Sequence, residues 1–245
     1  MHWESFYVKP DDVEGGILRF PPQEVRHIYR VLRKRSGDVV RAVDGAGTVY
    51  EAELTEVSAS AVRARIIQRR RLTGEPSAQI ILAQALIKQD RFDWLVEKSV
   101  ELGVHEIIPV ISRYVQPAAK ADKTPRRQRI ALAAMKQSGR CVLPEVQKPR
   151  DFRRAVSMGA GCDLRLLAHA GKESIPVTEA VDRRYRGTPR ILLLVGPEGG
   201  FSDEEIEEAH EQGFQPVGLG PRRLRAETAS ITLTAQVLTA LGELS

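Results

Sequence analysis

Ile191-Leu192-Leu193-Leu194-Val195-Gly196-Pro197-Glu198-Gly199-Gly200-Phe201-Ser202-Asp203-Glu204-Glu205 decides the fold class. Five consecutive apolar residues fit a strand covered on both faces, as in a parallel sheet. A glycine-rich loop follows, and Ser202 with Glu205 three positions on forms a capping box that opens an acidic helix. Ligands of open α/β sheets sit beyond the carboxyl ends of strands, where this loop lies. The loop is neither Gly-x-Gly-x-x-Gly nor a phosphate loop ending in Gly-Lys-Ser/Thr. Its acidic helix start also disfavours a phosphate. Read alone, it is either a ligand loop or a tight turn.

The same alternation extends outward from this stretch. Strands are predicted at Ile80–Leu86, Ile107–Ile111, Leu164–Ala168 and Val217–Leu219, and helices at Phe92–Leu102, from Thr124 towards Gly139, at Asp203–Gln212 and at Thr228–Leu241. Strands alternating with helices specify an α/β domain with a mainly parallel sheet, over residues 78–245. Residues 1–72 read differently. Short β-type runs at Val39–Val43, Val49–Leu54 and Ala61–Ile67 are separated by turns, and Pro22–Arg33 carries apolar Val25, Ile28, Val31 and Leu32 at helical spacing. A small β-barrel with one helix is expected there, joined to the rest by a Thr73–Ser77 linker.

The 245 residues are 42% hydrophobic and 28% charged, which excludes disorder, collagen and rod-like coils. Aromatics at 5% argue against a protein that grips single strands mainly by base stacking. Lys+Arg total 37 against 32 Asp+Glu, a modest surplus of +5. Its distribution is uneven: Lys120–Arg154 holds eleven basic residues opposed only by Asp122, Glu145 and Asp151, with smaller clusters at Arg30–Arg35 and Arg69–Arg71. Phosphate backbones select such local surpluses, and solvated helix faces also produce them. Cys141 and Cys162 form no Cys-x-x-Cys pattern, so neither a disulfide scaffold nor a cysteine zinc site is expected, and no metal is. With no secretory leader or apolar span in view, the expectation is a cytoplasmic, reduced protein with no membrane partner.

A second loop, Leu219-Gly220-Pro221-Arg222-Arg223-Leu224-Arg225-Ala226-Glu227-Thr228, again joins a strand to a helix and concentrates three arginines with a glutamate. Alone it is an anion site or an ion-pair cluster. Both loops, with Glu97-Lys98-Ser99-Val100-Glu101-Leu102-Gly103-Val104, Gln137-Ser138-Gly139-Arg140 and His27-Ile28-Tyr29-Arg30-Val31-Leu32-Arg33, resemble the RsmE family of ribosomal RNA methyltransferases, of the SPOUT class. The resemblance spans nearly the whole chain. It implies a PUA-like RNA-binding barrel followed by an α/β domain with a trefoil knot, one of the exceptions to unknotted chains. It also implies a homodimer that binds S-adenosylmethionine in the knot and methylates uridine N3 in 16S ribosomal RNA of the small subunit. Carried over by motif, the cofactor residues are Gly196, Glu198, Gly199, Gly200, Leu219, Gly220, Arg222, Leu224 and Arg225, with Leu167, Ala168 and His169 from an earlier loop. Two positions depart from the family pattern: Lys136 stands where glutamate is usual and adds to the basic face, and Arg223 replaces an aliphatic residue.

Uracil N3 is protonated at neutral pH, so methylation needs a donor or cation near the uracil oxygens and a base within reach. Arg225 and Arg222 are candidates for the first role, Glu227 or Glu198 for the second. Arg30, Arg33, Arg126, Arg127, Arg129 and Arg140 are the candidate phosphate ligands. Ile231, Leu233, Val237, Leu238 and Leu241 give the last helix an apolar side suited to a second copy of the chain or to its own core. Two rival functions are a SPOUT methyltransferase acting on transfer RNA and a non-catalytic RNA-binding protein.

Overall fold

The computed structural model describes residues 5–116, 121–181 and 188–244. The chain divides into two compact units, Met1–Glu75 with Leu132–Leu143, and Pro76–Ala131 with Pro144–Ser245.

The first unit contains β1 (Ser5–Tyr7), β2 (Val13–Glu14), β3 (Ile17–Arg19), α1 (Pro22–Arg26), β4 (Val39–Val43), β5 (Thr48–Val57) and β6 (Val62–Arg71). The expected barrel is one six-stranded sheet in the order β1-β4-β5-β6-β3-β2, whose two edge strands do not pair with each other among the described residues. Alternation along the strands sends Val40, Ala42, Tyr50, Ala52, Leu54, Val62 and Ala64 inward, onto Phe6, Leu18, Phe20, Val25 and Ile28. The long β5–β6 pair carries register shifts at Glu51/Ala52 and Leu54/Glu56, which bend and twist the ribbon. The helix expected over Pro22–Arg33 is shorter than its apolar spacing suggested. After Arg26 the chain widens into a π-type turn over His27–Val31, and Arg33 enters the left-handed region at φ 51°. Widening the turn rotates later residues off the core-facing stripe. Ile28 is fully buried, whereas Val31 is 64% exposed.

The Thr73–Ser77 stretch is not a free linker. Glu75 lies buried against Arg140, accepting from its Nη2 at 2.7 Å and from the backbone N–H of Cys141 and Val142 at 2.7 and 3.0 Å.

The second unit contains β7 (Gln79–Ala85), α2 (Gln89–Glu101), β8 (Glu106–Ile111), α3 (Thr124–Ser138, counted here to Ala131), β9 (Glu145–Val146), β10 (Arg150–Asp151), α4 (Phe152–Ser157), β11 (Leu164–Ala168), β12 (Ile175–Pro176), α5 (Val177–Ala180), β13 (Arg190–Val195), α6 (Asp203–Glu211), β14 (Gln215–Gly218) and α7 (Ala226–Leu241). Its strands lie in the order β10-β8-β7-β13-β11-β14-β12, with β9 also on β8, and every pairing is parallel. The central strands β7 and β13 are buried on both faces, which explains their unbroken apolar runs. Because all strands point one way, the loops after β11, β13 and β14 emerge at one edge.

The last helix packs Leu233, Val237 and Leu238 into the core of its own unit. The apolar side expected to face a second copy is therefore narrower than the sequence suggests, and Ile231 and Leu241 remain half-buried. No helix among the described residues is long and apolar enough to cross a membrane. Cys141 and Cys162 are free and buried.

Candidate active site

Three loops converge at the carboxyl edge of the second unit's sheet. The loop after β13 begins at Gly196, where a Cβ would lie 3.2 Å from the backbone of Gly200. Only glycine lets this loop fold so tightly on itself, and Gly200 adopts φ +74°. Ser202 then caps α6: its Oγ accepts from Glu205 N–H at 3.3 Å, and the Glu205 carboxylate accepts from Ser202 N–H at 3.0 Å. The loop after β14 turns through Gly220 at φ +97°, and Arg225 stands at the N-cap of α7 in an extended conformation. The third loop, after β11, is held where His169 N–H donates to Val217 O at 3.1 Å.

Together they enclose a cavity of about 380 Å³. Of the residues assigned to a cofactor, His169, Gly196, Glu198, Gly200, Leu219, Gly220, Arg222 and Leu224 line it, as do Ala168 and Arg223. Three others do not. Leu167 is a core residue of β11, 2% exposed, because strand alternation turns it into the sheet's packing. Gly199 faces Tyr114, whose Cβ a methyl at Gly199 would meet at 3.2 Å. Arg225 is exposed outside the cavity wall.

The acidic residues nominated as bases are linked by a residue the sequence reading missed. Arg91 of α2 donates from Nη1 to Glu198 Oε1 at 3.1 Å, and its Nε lies 3.7 Å from Glu227 Oε1. Glu227 is buried, and its Oε2 has no hydrogen-bond partner among the described residues. The alternative in which Arg225 pairs with Glu227 is not what the structure shows: Arg225, Arg222 and Arg223 make no ion pair among the described residues, and Arg91 takes that place. Gln84 was also missed. It sits fully buried in β7, donates from Nε2 to Ala85 O at 2.8 Å and Gly196 O at 3.2 Å, and accepts from Ser230 Oγ. A lone amide inside the Ile80–Leu86 apolar run was the available signal.

The basic stretch changes character once folded. Arg127 is 1% exposed, its guanidinium 3.8 Å over the Phe92 ring, and burial lowers its pKa against the opposing pull of Asp93 and Asp122. Arg140 is 3% exposed and bound to Glu75. Neither can reach a phosphate without unfolding its surroundings, which corrects that assignment. Lys136 adds nothing to a basic face, because Glu24 takes it at 2.6 Å. Arg126 is bonded to Asp93 at 2.7 Å, and Arg153 to Glu208 at 2.8 Å. Arg30, Arg33 and Arg129 are exposed. Lys120, at the start of the stretch, lies outside the described residues. Among the described residues no cluster could hold a metal ion.

Comparison with known proteins gives concordant results. The family model for the RNA methyltransferase domain matches residues 74–238, and that for the RNA methyltransferase PUA domain matches 20–67. The chain is 31% identical to ribosomal RNA small subunit methyltransferase E of Synechocystis, over 94% of this chain and 75% of that one. It is 30% identical to the protein of that name from Bacillus subtilis, over 89% and 88%. Its fold is similar to the crystal structure of a ribosomal RNA small subunit methyltransferase E from Neisseria gonorrhoeae bound to S-adenosyl methionine, with TM-score 0.85, 33% identity and coverage of 97% and 98%.

Proposed function

The chain belongs to the RNA methyltransferase family of ribosomal RNA small subunit methyltransferase E, and we propose that it transfers the methyl group of S-adenosylmethionine to N3 of a uridine in 16S ribosomal RNA of the small subunit. The observation that carries this reading is the cavity built by the three loops after β11, β13 and β14. The cavity has apolar wall from Leu219, Leu224 and Ala226. Its edge carries both signs of charge, Glu198 paired with Arg91 and the arginines Arg222 and Arg223, which suits a ligand bearing a sulfonium, an ammonium and a carboxylate. A sulfonium supplies an already activated methyl group, so the chain's task is alignment and charge control. Gly196 and Gly200 let backbone approach the ligand closely.

Arg222, at the cavity, and Arg225, beside it, stabilise negative charge on the uracil oxygens as N3 loses its proton. Of the two candidate proton acceptors Glu198 is the better placed, since it lines the cavity, whereas Glu227 stands outside that lining with its Oε2 closed to solvent. Arg91 holds Glu227 and Glu198 in register as a positioning residue. A paired uridine hides N3, so the target base must be unpaired or turned out of its stack. Residues 1–72 serve as the PUA-like RNA-holding domain and residues 78–245 as the methyltransferase domain, which carries a trefoil knot. The protein acts as a homodimer, with the half-buried face of α7 around Ile231 and Ala235 against the second copy; this face borders a hollow of about 1000 Å³.

The test is methyl mapping of ribosomal and transfer RNA from a strain lacking the gene, with and without the chain restored. A methyl group returning at one uridine N3 of 16S ribosomal RNA is the expected result. Its return on transfer RNA, or on no RNA, refutes the proposal.

A further inference from the structure

Uridine N3 must lose a proton during methyl transfer, and neither carboxylate is well suited to take it. Glu227 stands outside the cavity lining, and Glu198 is already engaged by Arg91 at 3.1 Å. Among the described residues, His169 supplies the only imidazole in that lining. An imidazole is the side chain best matched to proton abstraction near neutral pH.

The main chain of His169, just after β11, is tied on both sides. Its N–H donates to Val217 O at 3.1 Å, and its carbonyl accepts from Ser174 Oγ at 2.8 Å. Its Nε2 lies 3.1 Å from Glu173 Oε1. The acid reaches that position by lying over Gly171, where a Cβ would collide with the Glu173 carboxylate. His169 also borders a second hollow, of about 330 Å³, and of the two spaces Glu173 lines only this one. The imidazole therefore stands between the cofactor cavity and the hollow that holds its carboxylate. Asp203, Glu207 and His210 of α6 share the hollow with Glu173, while Glu198, Arg222 and Arg223 share the cavity. A carboxylate against Nε2 keeps the ring proton on that nitrogen and leaves Nδ1 with a free lone pair.

We propose that His169 is the general base of the methyl transfer, with Nδ1 presented to the cavity, and that Glu173 is the positioning residue that fixes its tautomer. The uracil N3–H, once the base is turned out of its stack, donates to Nδ1. As N3 bonds to the methyl carbon, its proton passes to Nδ1, and the carbon–sulfur bond breaks with its electron pair left on sulfur. S-adenosylhomocysteine and the N3-methylated uridine result. Glu173 stabilises the imidazolium at Nε2, and the half-buried ring then returns its proton to solvent. Glu198 and Arg91 are left to set the charge at the cavity edge.

The inference rests on reading this cavity as the methyl-transfer site, and its test separates the two. Single-turnover methylation is followed on small ribosomal subunits from a strain lacking the gene, and affinity for S-adenosylhomocysteine is measured by calorimetry on the same variants. His169→Ala should slow methylation about 10²–10⁴-fold, keep that affinity within a few-fold, and recover part of its rate in added imidazole. The wild-type rate should rise with pH across the histidine range and then level off. Glu173→Gln should move that rise to lower pH, because a carboxylate beside the ring favours its protonated form. Nitrogen-15 NMR should find the neutral His169 ring protonated on Nε2. A ring proton on Nδ1, a rate with no rise across the histidine range, or a loss of S-adenosylhomocysteine affinity parallel to the loss of rate overturns the proposal. A fully active His169→Ala overturns this inference alone, whereas a wild-type chain that methylates no RNA overturns the methyl-transfer reading with it.

Discussion

Gln84→Leu tests whether the glycine-rich loop is held from within the sheet. Leucine fills nearly the same volume, so packing changes little. What is lost is the amide that donates to Gly196 O at 3.2 Å and accepts from Ser230 Oγ on α7. Gln84, Ser230 and Thr234 are all 0% exposed, so water cannot replace these bonds. Leaving a buried hydroxyl and a carbonyl unpaired costs about 1–3 kcal/mol each, and the added apolar contact offsets part of that. A net loss of about 2–4 kcal/mol is expected in urea unfolding. Ser230→Ala leaves the Gln84 carbonyl unpaired and should cost about 1–2 kcal/mol. Since the two side chains share one bond, the double variant should be less destabilised than the sum, with a coupling of at least about 0.5 kcal/mol. Calorimetric affinity for S-adenosylmethionine should fall roughly three- to tenfold in Gln84→Leu, because the Gly196 carbonyl is no longer fixed. A loss under about 1 kcal/mol with additive single effects would refute the tether.

Four other outcomes are expected. Glu75→Gln strips Arg140 of its charge partner and should destabilise by about 3–5 kcal/mol, with the slope of RNA binding against salt unchanged; a normal stability with a steeper salt slope would return Arg140 to the phosphate ligands. Burial, with Glu75 as the next cause, pushes the Cys141 thiol up to about 11, so its thiolate is roughly one part in a thousand at pH 8, and alkylation of the native protein should be far slower than in urea. Because that pKa is raised above its unfolded value near 9, the thiol's contribution to stability is complete below pH 9 and is lost as pH rises towards 11, which Cys141→Ala should abolish in a pH series of unfolding midpoints. Light scattering at micromolar concentration should give a dimer mass, and a monomer there would refute the proposed assembly.

The elements most legible in the sequence were those with long periodic or unbroken apolar patterns. Leu164–Ala168 and Val39–Val43 are strands over the very residues expected, and the Ser202–Glu205 capping box is present as read. Two-residue strands such as β9, β10 and β12 were not legible, since a period of two cannot be recognised in so few positions. The apolar spacing at Val25, Ile28, Val31 and Leu32 misled because spacing assumes an unbroken α-helix, and the chain widens after Arg26.

Charge was legible as a sum and misleading as a surface. The surplus in Lys120–Arg154 is real, but its opposing acids come from elsewhere in the sequence: Asp93 for Arg126, Glu24 for Lys136, Glu75 for Arg140 and Glu208 for Arg153. A local count cannot see partners that only folding brings near. The same rule in reverse marks the site. Arg222, Arg223 and Arg225 also sit in an arginine-rich run, yet after folding no acid among the described residues takes them, and the one buried acid of that loop, Glu227, is held by Arg91 of a different helix. An exposed cation left unpaired stays solvated and is free to take an incoming phosphate or carboxylate. The informative quantity is therefore the charge that remains after tertiary pairing. By that measure the arginines after β14 and those ending β6, not the denser stretch along α3, are where RNA should be sought first.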